Sequence, residues 1–362
     1  MIVFFSDTLV EGSGWSKYSL DIVNILKNKE KVLVICVKKN LESSVKQLEL
    51  LRDPIQYVKN PLLALIDFYS IYKVLKKISL EEHNILHITV EPFIFFLPFI
   101  QKFFKKKILT AHGSYSLILY NSLRSRFLFK FSLRFLNLVV YVSQYTKKKT
   151  NYIFSNNLLT TKVINNSIKP ASINNYFNKK NNQFLTIASI KKRKGHHHTI
   201  EVARKLLESG CKDFCFKIIG SISDKEYYEI LKKKVLEYKL KKFVFFKGFL
   251  DSKNIKKEII RSKLFIMLSE DYFDYFEGYG LVYLEALNNG LNVVISKESG
   301  ASHLKIPYSS GIVCAPNDYS IIASYLKKII ENKNKTNFIF NSNLLNRNWK
   351  NYKKEIFSIY DI

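Results

Sequence analysis

Short apolar runs alternate with longer segments in which apolar residues recur at intervals of three and four. After the opening run Ile2-Val3-Phe4-Phe5, residues 31–37, 84–89, 106–110 and 138–142 have the composition of buried strands, and residues 16–27 and 62–78 have helical spacing. Alternation of this kind predicts βα units around a parallel sheet. The pattern loses its period over residues 166–183, rich in Asn, Ser and Lys and carrying Pro170, which reads as a linker. It then restarts, with strand-like runs at 184–189, 214–219, 243–246 and 264–268 and helical patterns at 196–207 and 225–238. A last amphipathic helix is expected over 344–360, where Trp349, Tyr352, Ile356 and Tyr360 share a spacing. The reading is therefore an α/β protein with domains over 1–165 and 184–343 and a closing segment 344–362. No short repeat is visible, which argues against a solenoid.

With 362 residues, 47% of them hydrophobic, the chain has material for two cores. Its most apolar window, 85–104, is broken by His87, Glu91, Pro92, Pro98 and Lys102 and falls short of the roughly 18 uninterrupted apolar residues of a membrane span. The amino terminus opens directly on a strand, without a basic leader or a small-residue cleavage site, so no signal peptide is expected. Cys36, Cys211, Cys215 and Cys314 are scattered through apolar contexts, the pattern of buried free thiols in a reducing compartment. The abundance of Lys, Asn, Ile and Phe fits a bacterial genome of low G+C content.

Charge changes the picture more. A net charge of +28, from 58 basic against 30 acidic residues, predicts attraction to a polyanion, and nucleic acid and anionic lipid both qualify. No nucleic-acid recognition motif is present and the cations spread over both halves, so nucleic acid is not the expected partner. Two segments mix cations with aromatic rings: the run 92–100 leading into Lys102, Lys105, Lys106 and Lys107, and residues 124–135, with Phe127, Phe129, Phe131 and Phe135 among Arg124, Arg126, Lys130 and Arg134. Both fit helices lying in an anionic membrane interface, and both equally fit the core faces of ordinary helices.

Candidate chemistry gathers at the expected strand ends. Glu277-Gly278-Tyr279-Gly280-Leu281-Val282-Tyr283-Leu284-Glu285 follows an apolar strand and leads into helical spacing. The glycines then sit at a helix N-terminus, whose free amides attract phosphate, and two carboxylates flank it as acceptors for sugar hydroxyls. The same residues also fit an ordinary strand-to-helix turn. Lys191-Lys192-Arg193-Lys194-Gly195 is a cationic turn suited to a diphosphate, or a solvated basic loop. Gly12-Ser13-Gly14 after the first strand, Gly220 and Gly248 after later ones, and His112 in Thr110-Ala111-His112-Gly113 all stand where open α/β sheets bind ligands. Each has a plain structural alternative as well. His196, His197 and His198 suggest a metal at first sight, but successive helical residues point about 100° apart, so no metal site is expected there.

From Phe184 to Val294 the chain resembles the family-4 glycosyltransferases. The resemblance rests on Phe265-Ile266-Met267-Leu268-Ser269, the Glu277–Glu285 motif, its continuation Glu285-Ala286-Leu287-Asn288-Asn289-Gly290, and Lys194-Gly195. It implies the GT-B fold, two Rossmann-like domains facing a cleft with a C-terminal helix crossing back to the first. It further implies retaining transfer of a hexosyl group from a nucleotide-diphosphate sugar, without metal or other cofactor. By the same resemblance His112 contacts the donor sugar, Lys194 the phosphates, Glu277 the transferred sugar and Glu285 the ribose, with Gly14, Arg193, Gly220, Gly278, Tyr279, Gly280, Leu281 and Val282 around the donor. Ser143 is a further cleft candidate. Ser13, Ser189, Ser299 and His303 depart from the family pattern, Ser189 standing where an arginine is usual. The basic aromatic surface points to a glycan or lipid-linked acceptor of bacterial cell-surface polysaccharide or lipopolysaccharide synthesis, at the inner face of the plasma membrane. The alternatives are an inactive transferase-like membrane-binding protein and, behind it, a basic nucleic-acid-binding protein.

Overall fold

The computed structural model describes residues 1–10, 12–78, 84–155, 159–170, 182–331 and 342–362. The chain forms two compact units, residues 1–166 with 350–362, and residues 167–349. Most of the expected linker, 171–181, lies outside the described residues.

The first unit is built on β1 (Ile2–Thr8), β2 (Val32–Lys38), β3 (Lys46–Glu49), β4 (Ile85–Ile88), β5 (Lys106–Ala111), β6 (Leu138–Tyr141) and β7 (Thr160–Val163). They form one parallel sheet in the order β3-β2-β1-β4-β5-β6-β7. Parallel strands need crossover connections, and helices over both faces bury Phe4, Phe5, Val34, Ile35, Leu86 and Val139 completely. The edge strands β3 and β7 carry Lys46-Gln47-Leu48-Glu49 and Thr160-Thr161-Lys162-Val163, too polar to register as strands in the apolar pattern; an edge strand faces solvent and tolerates such residues.

The second unit repeats the arrangement with β8 (Gln183–Ile187), β9 (Cys215–Ile219), β10 (Val244–Gly248), β11 (Leu264–Met267), β12 (Asn292–Ser296) and β13 (Gly311–Cys314). Their order is β10-β9-β8-β11-β12-β13, again all parallel. Each sheet reverses its winding once, between β1 and β4 and between β8 and β11. At such a switch the connections leave toward opposite faces and open a crevice beyond the carboxyl ends of the strands.

The last helix, Ser342–Ser358, returns the chain to the first unit. Tyr352, Ile356, Ile359 and Tyr360 are buried there. The Tyr360 hydroxyl meets Nδ1 of His87 on β4, and His87 Nε2 and the Tyr18 hydroxyl share Thr110 Oγ1 at 2.7 and 2.9 Å. These polar groups satisfy one another inside the core, as burial requires.

The run 92–100 is not a membrane-facing surface. It folds into a 3-10 turn, Glu91–Phe96, followed by the short helix Leu97–Ile100, and Phe93, Ile94, Phe95, Phe96, Leu97 and Ile100 are fully buried. Two prolines and tight turning let one segment drive its aromatics into the core from several sides. The four cysteines are free, Cys36 and Cys314 buried. Among the described residues no helix is long and apolar enough to cross a membrane.

Candidate active site

The loops after β8 and β11, on either side of the second unit's switch, bring cations and carboxylates together. Beyond β8 the chain makes one 3-10 turn, Lys192–Lys194, and enters the helix His196–Glu208 through Gly195. Gly195 has φ +66°, and a Cβ on it would lie 1.6 Å from the carbonyl oxygen of Leu268. Only glycine lets the turn rest against the end of β11. The Glu270 amide donates to the Arg193 carbonyl at 3.0 Å and fastens the two loops together.

Lys194 Nζ donates to Glu277 Oε2 at 2.5 Å, and Arg193 Nη1 donates to the same oxygen at 2.9 Å. Burial by itself would raise the Glu277 carboxyl; the charges and hydrogen bonds of Lys194 and Arg193 outweigh it and hold the group down at about 2. Burial pushes Lys194 below the ordinary lysine range, against the pull of Glu277 and with the help of Arg193 and Lys191. Lys191 is lowered too, by burial and then by Arg193. One ionised carboxylate thus faces two cationic side chains, Lys194 and Arg193, so the cluster keeps an excess of positive charge in a desolvated place. That is the electrostatic environment of a phosphate site.

The Glu277 backbone is pinned from the other side, its carbonyl accepting the Gly300 amide at 3.0 Å. Gly278 and Tyr279, both buried, lead to Gly280, left-handed at φ +87°, where a Cβ would come 2.7 Å from the Tyr283 ring. Gly280 opens the helix Leu281–Asn288, which has no side-chain cap, so the leading amides of Leu281 and Val282 lack intrahelical acceptors. Tyr283 anchors that turn by donating to the Met267 carbonyl at the end of β11. Glu285 is the fifth residue of the helix and half-buried.

In the first unit, Gly14 is the first residue of the helix Gly14–Leu26, with open space where its Cβ would stand. Ser13 is the N-cap and accepts the Ser16 amide at 3.1 Å, which accounts for a serine where the family has glycine. His112 follows β5, its ring edge-on to Tyr18 with centroids 4.6 Å apart. A hydrogen bond to the Thr89 backbone takes one ring nitrogen, leaving Nε2 buried with no hydrogen-bond partner. Burial lowers the imidazole to about 3, so it is neutral at physiological pH.

Behind that turn stands a residue the sequence reading passed over. Glu91 Oε1 accepts the amides of His112 and Gly113 at 2.8 and 3.2 Å, and burial raises its carboxyl to about 7. The signal was present, an acid directly after a strand inside an apolar run, but it registered only as an interruption. Ser143 caps the helix Gln144–Phe154, accepting the Thr146 amide at 2.9 Å.

The other departures from the family pattern close turns. Ser299 donates to the Ser296 carbonyl at 2.8 Å, and His303 Nδ1 lies 2.5 Å from the Gly300 carbonyl beside the Tyr279 ring. Gly220 ends β9 where a Cβ would meet the Ala188 carbonyl oxygen at 2.0 Å, and its amide donates to Gly248 at 2.9 Å. His196 is turned toward the Ser189 carbonyl, whereas His197 and His198 turn together toward Glu270, contrary to the divergence expected of neighbours on a helix.

Two parallel Rossmann-like sheets joined by a returning C-terminal helix constitute the GT-B fold. Residues 167–354 match the family described as glycosyl transferases group 1, and the chain belongs to that family. It is 24% identical over 229 residues to an uncharacterized glycosyltransferase of Methanocaldococcus jannaschii, a match covering 62% of this chain and 59% of that protein. Among solved structures it resembles HepE of Anabaena in complex with UDP-glucose, with a TM-score of 0.74 at 17% identity over 100% of this chain and 99% of that one. Sucrose-phosphate synthase of Thermosynechococcus elongatus is similar to the same degree, with a TM-score of 0.74 at 17% identity over 99% and 98% of the two chains.

Proposed function

We propose that this protein is a retaining glycosyltransferase that moves a hexosyl group from a nucleotide-diphosphate sugar to a glycan or lipid-linked acceptor in bacterial cell-surface polysaccharide or lipopolysaccharide synthesis. The observation that carries the reading is the sharing of one buried carboxylate oxygen, on Glu277, by Lys194 and Arg193 at the switch point of a parallel sheet. As the bond from sugar to phosphate breaks, negative charge grows on the leaving phosphate. Lys194, Arg193 and the free amides of Leu281 and Val282 stabilise that charge and do so without reorganising.

In this reading the acceptor attacks from the face the phosphate is leaving, the phosphate takes the acceptor's proton, and configuration is retained. Glu277 accepts hydroxyls of the transferred sugar and Glu285 those of the ribose. His112, neutral and with its buried Nε2 unoccupied by any hydrogen bond, is suited to accept a donor-sugar hydroxyl. Gly14 leaves room for close approach of the backbone, and Arg193 stands in for the arginine missing at Ser189. Charge stabilisation is thus assigned to side chains and amides, and no metal is assigned to the transfer step. The UDP-glucose bound to HepE supports a uridine nucleotide as the first donor to try.

A membrane-surface location is supported by one face of the helix Leu123–Leu133. Leu123, Phe127 and Phe131 recur every four residues and are exposed, Leu123 at 87% and Phe127 at 83%, among the exposed cations Arg124, Arg126, Lys130 and Arg134. Such a stripe is suited to the interface of an anionic bilayer at the inner face of the plasma membrane, where a lipid-linked acceptor would be met.

The test is a screen of nucleotide sugars read by release of free nucleoside diphosphate, with Lys194→Ala and Glu277→Ala as controls. Turnover of one donor that both variants slow by at least about 100-fold is the expected result. A folded wild type that neither hydrolyses nor transfers any donor overturns the enzymatic reading in favour of a transferase-like binding protein.

A further inference from the structure

We propose that His197, His198 and Glu270 form a binding site for a divalent ion of zinc's class, distinct from the groups assigned to sugar transfer. The three residues come from two elements, the first turn of the helix His196–Glu208 and the loop after β11. Their ligand atoms all lie within 4.8 Å of one another, the one such group among the described residues. His197 Nε2 is 3.5 Å from Glu270 Oε1, and His198 Nε2 is 3.2 Å from Oε2. A tetrahedral ion with bonds of 2.0–2.1 Å separates its ligand atoms by about 3.3 Å, close to the distance of each imidazole from its own oxygen of the carboxylate.

The outer contacts point the same way. Nδ1 of His197 lies 2.7 Å from the Tyr227 hydroxyl, and Nδ1 of His198 lies 2.8 Å from the Tyr319 hydroxyl. In the tautomer in which each hydroxyl accepts from its imidazole Nδ1–H, as the Tyr227 hydroxyl also accepts the His197 amide at 3.0 Å, the Nε2 lone pair is aimed at Glu270. Metal-binding histidines are oriented in this way. Without an ion, two lone pairs facing a carboxylate repel, and the rings must adopt the other tautomer. Even then Glu270 Oε1 is left buried with no hydrogen-bond partner. Lys234, whose charge reaches both rings, is itself held by Glu201 at 2.7 Å.

The hydroxyls explain why neighbours on a helix converge here. The backbone sends successive side chains about 100° apart, but Tyr227 on one flank and Tyr319 on the other steer the two rings together, their centroids 4.0 Å apart. With Glu270 bound through one oxygen, the two histidines and the carboxylate leave the fourth position of a tetrahedral ion for water. Since the Glu270 amide holds the Arg193 carbonyl, an ion on Glu270 also braces the cationic turn.

The experiment uses the full chain without an affinity tag, stripped with a chelator and titrated with Zn²⁺ by calorimetry, with cobalt(II) absorption as a second readout. One equivalent should bind, cobalt should give the visible bands of a four-coordinate ion, and the melting temperature should rise. His198→Ala should weaken binding at least about 100-fold and Tyr319→Phe, which removes only the outer hydroxyl, about 10-fold. Glu270→Gln preserves the side chain's shape and the backbone bond to Arg193 and should bind at least about 10-fold more weakly. Failure of the folded wild type to bind zinc overturns the proposal. So does binding that His198→Ala and Glu270→Gln both leave unchanged.

Discussion

Lys194 and Glu277, separated by 83 positions in the chain, meet at 2.5 Å, with Arg193 on the same carboxylate oxygen. Neither side chain is then free to drift, and the positive excess of the cluster is fixed before any ligand arrives. If that excess stabilises a leaving diphosphate, Lys194→Ala lowers the rate of nucleoside diphosphate release about 10²–10³-fold, in the range of losing one preorganised donor. A Lys194→Ala enzyme with wild-type turnover removes the lysine from the mechanism.

Glu277 also ties the cluster to pH. Its carboxyl is held at about 2, below its ordinary value, by Lys194 and Arg193 against the effect of burial. A depressed carboxyl stabilises the fold fully above its unfolded value near 4.5, and the contribution disappears as pH falls through that value toward 2. Wild type should therefore exceed Glu277→Gln by about 2 kcal/mol at pH 6–7. The gap should narrow on acidification. Denaturant melts of both proteins between pH 3 and 7 measure it, and a gap independent of pH contradicts the assignment.

Glu91 has the opposite sign. Burial raises its carboxyl to about 7, so between its unfolded value near 4.5 and 7 the folded protein keeps a proton that the unfolded chain loses, and stability declines as pH rises through this window. Glu91→Gln retains an acceptor for the His112 and Gly113 amides and carries no charge. It should melt about 2–4 °C above wild type at pH 8, equivalent to ~1 kcal/mol, and match it at pH 4.5. Parallel melting curves across that range would count against a buried charge at this position.

Gly195 joins backbone geometry to the site. A methyl group at its left-handed φ would sit 1.6 Å from the Leu268 oxygen, and relief requires the cationic turn to lift from β11. Gly195→Ala should cost about 3 kcal/mol or more in a denaturant melt. Gly14→Ala, in open space, should cost under about 1 kcal/mol. Similar losses in the two variants would show that the contact at Gly195 is slack.

The exposed stripe of the helix Leu123–Leu133 bears on location. Replacing Leu123 and Phe127 together by Ser should reduce flotation with anionic liposomes severalfold and leave the melting temperature within about 2 °C, since neither side chain is in the core. Equal flotation with neutral and anionic vesicles would discard the electrostatic part of the idea.

Much of the fold could be read from periodicity. The apolar runs at 31–37, 106–110, 184–189 and 264–268 are strands β2, β5, β8 and β11 to within a residue or two, because a strand covered on both faces must be apolar throughout. Edge strands β3 and β7 escaped, since half of each faces solvent. The start of the helix after Gly280 was also readable, as glycine before a helical pattern is a local signal. Glu91 was not: an acid in an apolar run looks like an interruption until the fold supplies the two amides behind it.

The amino-acid order by itself determined the two parallel α/β units, the glycine-opened helices and the residue types at the strand ends, all of which depend on neighbours a few positions apart. Tertiary structure alone decided that Arg193 and Lys194 share one oxygen of Glu277, that the run 92–100 is core while Phe127 is exposed, and that His197 and His198 face one carboxylate. The physical reason is range. Periodicity records what a residue's own element requires, whereas convergence depends on strand order and on where a crossover sets the next loop, which no local stretch of sequence contains.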